Sequence, residues 1–200
     1  MPEFSVLPFA LFCLVATGTP GPNNMINLAQ GVRLGFWPAL PFALGTGFGI
    51  ASLLIAVALG LGSVFQLFPW LHLLMKGATI LFLLYLAWKI ATAGPLNSNG
   101  DLRRIGFFGG MTFQWINPKT WAASMTMATT FLPPDPSPSH AFLAGLIFCL
   151  VSWGTQPMWI MFGNRVRNFL AAPRHAHLFN AAMAALLLAV TLPILLGAMN

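Results

Sequence analysis

Six apolar stretches, at about residues 4 to 32, 38 to 63, 71 to 92, 105 to 131, 141 to 162 and 178 to 199, take up about three quarters of the chain of 200 residues. Each is long enough to cross the hydrocarbon of a bilayer, which takes about 20 residues per helical span. The separators are short: Arg33-Leu34-Gly35-Phe36-Trp37-Pro38, Phe68-Pro69-Trp70, Gly94 to Arg104, Pro133-Pro134-Asp135-Pro136-Ser137-Pro138, and Asn164 to His177. Because only 6% of the residues are Asp, Glu, Lys or Arg while 58% are apolar, the chain cannot furnish an ordinary water-facing surface. The expected fold class is an all-α membrane protein of six transmembrane helices, with residues 1–200 forming a single transmembrane domain. Whatever the protein does must then be done within the bilayer.

The few charges are unevenly placed. Arg33, Lys89, Arg103, Arg104, Arg165, Arg167 and Arg174 fall at the connections after the first, third and fifth stretches, and Glu3 and Asp135 lie on the other side. The preference of Lys and Arg for cytoplasmic loops puts those three connections inside and both termini outside. Lys76, near the outer end of the third stretch, is placed to snorkel to the interface. Trp37, Tyr85 and Trp88 on the inside and Trp70 on the outside stand where aromatic belts are expected. Despite a net charge of +6, the basic residues form no patch, which argues against nucleic acid as a partner and leaves membrane lipid as the surrounding medium. Ala16 and Gly18 sit where a signal-peptide cleavage motif would lie, but the leader carries Glu3 and no Lys or Arg, so retention of the first stretch is expected. Cys13 and Cys149 lie in apolar runs without a partner at metal spacing, which suits packing rather than a disulfide framework.

The stretches also divide into two sets of three: 1–93 as a first three-helix repeat, 94–104 as a cytoplasmic linker, and 105–200 as a second repeat. An odd number of crossings per half inverts the second half relative to the first. Each half opens with a stretch interrupted by proline and polar residues, Thr19-Pro20-Gly21-Pro22-Asn23-Asn24 in the first and Asn117-Pro118-Lys119 in the fourth. Discontinuous helices 1 and 4 are therefore expected, as in inverted-repeat carriers whose substrates bind near the bilayer midplane. Proline removes a helical hydrogen bond and crowds the preceding turn, and lipid cannot satisfy the backbone groups so freed. Those groups must face protein or a polar cavity, where the Asn23, Asn24 and Asn117 side chains are suited to pair with them or with a polar solute.

Lys119 falls ~21 Å from the start of its stretch and ~18 Å from the end, at 1.5 Å per helical residue, which is close to the membrane middle. A cation at that depth costs about 2.5 to 3.5 kcal/mol on the lenient insertion scale. No Asp or Glu lies in any stretch to pair with it. Two readings are open: Lys119 receives a substrate carboxylate, or it staples the two broken helices together. Candidate counter-groups are the carbonyls of the first break, Gln114, or the substrate itself. Trp115 and Trp121 flank the lysine too deep for interfacial anchoring; packing is favoured for Trp121, and Trp115 suits a pocket wall equally well. Glycines at 45 and 49, 31 and 35, and 106 and 110 have the four-residue spacing of close helix approach, which also permits a homodimer. Thr155-Gln156-Pro157 offers a kink and a polar wall in the fifth stretch. The expected substrate-binding set is Thr19, Pro20, Gly21, Pro22, Asn23, Asn24, Gln114, Trp115, Asn117, Pro118 and Lys119.

Taken in order, Thr19-Pro20-Gly21-Pro22-Asn23, a glycine-rich second stretch ending Gly60-Leu61-Gly62, Leu84-Tyr85-Leu86-Ala87-Trp88-Lys89 and Trp115-Ile116-Asn117-Pro118-Lys119 resemble the LysE/RhtB amino-acid exporters across nearly the whole chain. Asn23-Asn24 and Phe113-Gln114-Trp115 are similar to the branch that exports cysteine and O-acetylserine. The resemblance implies export of amino acids or close metabolites across the inner membrane, driven by an ion gradient or the membrane potential, as in proton antiport. Two departures weigh on coupling: Gly49 is followed by Ile50 where many relatives carry an acidic residue, and Ser152-Trp153-Gly154 stands where an asparagine is frequent. Proton coupling would have to use the substrate, ordered water or Lys119.

Other chemistries lack their residues. Lys119-Thr120 has no glycine cradle before it, so no Walker loop is present, and His175 with His177 beside Arg174 fits anionic headgroups better than a metal. No catalytic set for an intramembrane hydrolase occurs and no cofactor is implied, so an enzyme is not expected. A channel or non-transporting scaffold is the alternative, and it leaves the paired breaks and the lysine unexplained. The sequence therefore points to a carrier exporting a small neutral amino acid by alternating access. With no intramembrane carboxylate, a cationic side chain on the substrate is disfavoured.

Overall fold

The computed structural model describes residues 4–61, 67, 68, 70, 74, 77, 80, 81, 84, 85, 87, 88, 91, 92, 104–167 and 173–196. Most of the expected third span, with Lys76, Lys89, the linker positions 94 to 103 and Glu3, lies outside the described residues. Among the described residues there are seven α-helices and no strand: α1 Val6–Gly18, α2 Pro22–Leu34, α3 Phe36–Ala56, α4 Phe107–Ile116, α5 Pro118–Phe131, α6 Pro138–Val166 and α7 Pro173–Leu196. A wide π-type turn, Val57–Leu61, continues α3 and holds Gly60 at φ 110°.

The interruptions expected in the first and fourth stretches are present, and proline causes each locally. Thr19 and Gly21 both precede a proline and both are extended, at φ −69°, ψ 145° and φ −175°, ψ 177°. A residue before proline is pushed out of the helical region, so two X-Pro steps in a row end α1, and Pro22 then opens α2 at a position where its missing N–H is not needed. Asn117 repeats the device at φ −82°, ψ 110°, with Pro118 opening α5. Its side-chain Oδ1 caps the new helix by accepting from the Lys119 amide at 3.1 Å. Pro157, by contrast, lies inside α6 without ending it.

Glycine sets how the helices meet. A Cβ on Gly45 or Gly49 would strike the Phe107 or Met111 carbonyl of α4, and one on Gly110 would strike the Phe42 carbonyl of α3. Gly31 and Gly163 play the same part between α2 and α6, against the Ile160 and Leu28 carbonyls. The other glycines of the expected pairs differ. Gly35 joins α2 to α3 at φ 84°, and Gly106 stands in open space before α4. Register follows from these contacts: α3 runs parallel to α4 and α2 parallel to α6. Gly47 beside Trp153 and Gly145 beside Ile55 make α3 and α6 antiparallel. Gly35 lies beside Asn164 and Arg167, so the α2 and α6 ends bearing Arg33, Arg165 and Arg167 share one face.

Two apolar clusters sit one above the other. Met25, Ile26, Leu28, Phe42 and Phe113 fill the half toward Arg33, while Phe9, Cys13, Ile50, Leu54, Met127 and Phe148 fill the opposite half. Cys13 and Cys149 are buried and free. Between the clusters lies a polar layer in which Asn24, Asn27, Gln114, Asn117, Ser124, Ser152 and Gln156 are all buried. The outside shows the reverse: Leu7, Leu11, Val15, Phe108, Phe142, Leu150 and Phe162 are exposed. Polar within and greasy without is what hydrocarbon solvent demands. The helices Phe36–Leu61 and Pro138–Val166 are each long and apolar enough to cross a membrane. Trp37, Trp70, Tyr85 and Trp88 are exposed, as interfacial anchors are.

Candidate functional site

The two breaks meet. Lys119 Nζ, projecting from the first turn of α5, donates to Thr19 O at 2.9 Å, Thr19 Oγ1 at 3.0 Å and Pro20 O at 3.2 Å. All three donors of the ammonium thus point at the frayed end of α1, where carbonyls lack helical partners and carry the negative end of the helix dipole. Gly21 is small because of this contact: a Cβ there would lie 2.9 Å from Lys119 Nζ. In this conformation the ammonium holds the two breaks together.

Below the lysine, Asn23 and Gln114 form a reciprocal amide pair, with Asn23 Nδ2 donating to Gln114 Oε1 at 2.9 Å and Gln114 Nε2 to Asn23 Oδ1 at 3.0 Å. Gln114 is completely buried and fully used, since Nε2 also donates to Gly110 O at 2.9 Å and Oε1 also accepts from Thr120 Oγ1 at 3.0 Å. Asn24 turns the other way. Its Nδ2 donates to Thr17 O at 3.0 Å and Thr19 O at 2.7 Å, stitching the end of α1 to the start of α2, while its Oδ1 has no partner.

These groups surround a cavity of about 30 Å³, lined by Thr17, Gly21 to Asn24, Thr46, Ile50, Asn117, Lys119, Thr120 and Gln156 with Ala16, Ala123 and Phe148. That is room for about one or two water-sized molecules, so an amino acid enters only if the helices part. Two of the lining residues, Asn24 and Thr46, carry buried oxygens without a partner, Oδ1 and Oγ1. The cavity can therefore offer an ammonium, amide donors and bare acceptors within a few ångströms, the complement of a zwitterion.

Of the expected binding residues, Thr19 through Asn24, Gln114, Asn117, Pro118 and Lys119 are assembled at this junction. Trp115 is not: its ring lies outside the cavity lining, its indole Nε1 donates to Ser52 Oγ at 3.2 Å, and its carbonyl accepts from Trp121 Nε1 at 2.8 Å. Trp121 is buried against Leu53 and Val57, in the packing role expected for it. Sequence reading passed over Thr46 of α3 and Asn27 of α2. Asn27 Nδ2 donates to Gln156 Oε1 at 2.6 Å, and Gln156 Nε2 reaches Thr17 O at 3.3 Å. The available signal was the polar file Asn23, Asn27, Gln30, spaced four and then three residues apart on an otherwise buried helix.

The chain is similar in sequence to known proteins. The model of the LysE type translocator family matches residues 14–197. The chain is similar to a cysteine/O-acetylserine efflux protein of Klebsiella pneumoniae, 27% identical over 82% of this chain and 90% of that protein. It is also similar to the proteins of that name from Salmonella typhimurium, 26% identical over 78% of this chain and 80% of the relative, and from Escherichia coli K12, 25% identical over the same shares. No solved structure matches the chain. A polar junction of two broken helices in a bundle with an apolar exterior, and a family match over nearly the full length of the chain, lead to one assignment: the chain belongs to the LysE type translocator family and is a membrane transporter, not an enzyme.

Proposed function

We propose that this protein exports a small neutral amino acid, of the class of cysteine or O-acetylserine, from the bacterial cytoplasm by alternating access. The chain would cross the membrane six times as two inverted three-helix repeats, 1–93 and 105–200, with the basic ends inside and both termini periplasmic. The observation that carries the reading is the contact of Lys119 with Thr19 and Pro20 across the two helix breaks. An ammonium already occupies the carbonyl cradle that a substrate ammonium needs. On binding, the substrate inserts between them: its carboxylate takes over Lys119 Nζ, and its own ammonium takes the Thr19 and Pro20 carbonyls. One ammonium–carbonyl contact is exchanged for an ion pair and a new ammonium–carbonyl contact, so no charge is left bare at mid-membrane. The insertion also separates the two breaks, which lets the halves rock.

The remaining expected residues have distinct parts. Asn23 and Gln114 lie beside the lysine and hold α2 to α4, Asn24 keeps the α1 carbonyls aligned, and Asn117 caps α5 so that Lys119 points at them. Energy comes from the proton gradient or the membrane potential. The test is efflux of labelled O-acetylserine from proteoliposomes. Saturable efflux that is lost in Lys119→Met and falls when both gradients are collapsed is expected. Flux indifferent to concentration would identify a channel and overturn the reading.

A further inference from the structure

Asn23, Asn27 and Gln30 stand at i, i+4 and i+7 on α2, one face of the helix, running about 10 Å from the cavity toward Arg33. Asn23 finds Gln114 of α4 and Asn27 finds Gln156 of α6. Gln30 finds nothing: it is 7% exposed, and both its amide nitrogen and its amide oxygen are without a partner, as is Asn27 Oδ1. A buried primary amide with both ends bare is costly, and a leucine would fill the site more cheaply. Beside it the α2 and α6 backbones touch at Gly31 and Gly163, and the file ends at Gly35, Asn164 and Arg167.

From this juxtaposition we infer that Asn27 and Gln30, with Gln156, form a second substrate station on the Arg33 side of the cavity, buried here by the closed glycine contact of α2 with α6. When that contact opens, the amides face water and hand a zwitterion between the Arg33 face and the lysine junction. The amide oxygens meet the substrate ammonium and the amide nitrogens its carboxylate. The inference rests on the transport reading above and adds a route to it.

The test compares Gln30→Leu with the parent in proteoliposomes and in detergent, using O-acetylserine. A lower efflux, by about tenfold, is expected with equilibrium binding at the Lys119 junction kept within about twofold and with a melting temperature unchanged or raised. Parental efflux in Gln30→Leu would overturn the station while leaving the exporter intact, and so would a lowered melting temperature accompanying the loss, because that marks a structural amide. Failure of the parent itself to transport would instead sink the exporter reading. In a protein carrying Cys13→Ala and Cys149→Ala, Gln30→Cys should react with a membrane-impermeant thiosulfonate from the Arg33 face and be protected by O-acetylserine. Reaction that substrate does not slow would mean a water path only and would overturn the station, as would no reaction from either side.

Discussion

Lys119 is the residue on which the chemistry turns, and its neighbours make separable predictions. Gly21 is extended at φ −175°, a conformation open to any residue, so its smallness is explained by the lysine alone. Gly21→Ala should therefore fold with a melting temperature near the parent's while displacing the ammonium from Thr19 and Pro20. Efflux is expected to fall several-fold, by an amount of about 1 kcal/mol in transition-state terms; parental efflux would show that the contact is dispensable. Asn24 makes the opposite kind of prediction. Its amide holds two carbonyls of the α1 end, and in Asn24→Leu each keeps one side-chain donor, Gln156 for Thr17 and Lys119 for Thr19, so the loss should cost about 1–2 kcal/mol of stability in a denaturant titration in micelles. Both positions were legible in the sequence because the restriction that proline places on the residue before it is local. The partner of Lys119 was not, since which carbonyls a long side chain reaches depends on how α5 docks on α1.

At the scale of helices, the glycine contacts divide into those that backbone occupies and those that nothing occupies. Gly163→Ala would press a Cβ into the Leu28 carbonyl and Gly45→Ala into that of Phe107, and neither carbonyl can swing aside. Each substitution should lower stability by about 1–3 kcal/mol. Gly154, inside α6 with nothing within 4 Å, is the control: Gly154→Ala should raise the melting temperature, alanine being favoured over glycine by about 1 kcal/mol in a helix interior. Equal melting shifts at all three positions would mean that the close approaches do not hold the bundle. Four-residue spacing pointed to Gly31, Gly45, Gly49 and Gly110 correctly. It misassigned Gly35, which is kept for its positive φ, and Gly106, which precedes its helix, because spacing alone does not distinguish a packing face from a helix end.

For the whole molecule, the arrangement of a polar layer between two apolar clusters inside a hydrophobic exterior explains how a chain with so few charges keeps a polar site. Six apolar stretches announced that exterior. The interior was less visible: Gln156 stood out as part of a polar wall, but Asn27 and Thr46 become site neighbours only when α2, α3 and α6 pack. The proposed orientation is checked by thiol labelling against the background of buried Cys13 and Cys149. Ser139→Cys, exposed at the start of α6, should label in intact cells, and Arg165→Cys, exposed at its other end, only after permeabilisation; the reverse pattern would invert the protein. The central claim, that the two helix breaks and Lys119 together form a substrate site, is tested most directly by equilibrium binding of labelled O-acetylserine to purified protein. Saturable binding should be present in the parent and lost in Lys119→Met, with the variant's melting temperature within a few degrees of the parent's. Unchanged binding in a folded Lys119→Met protein would contradict the account.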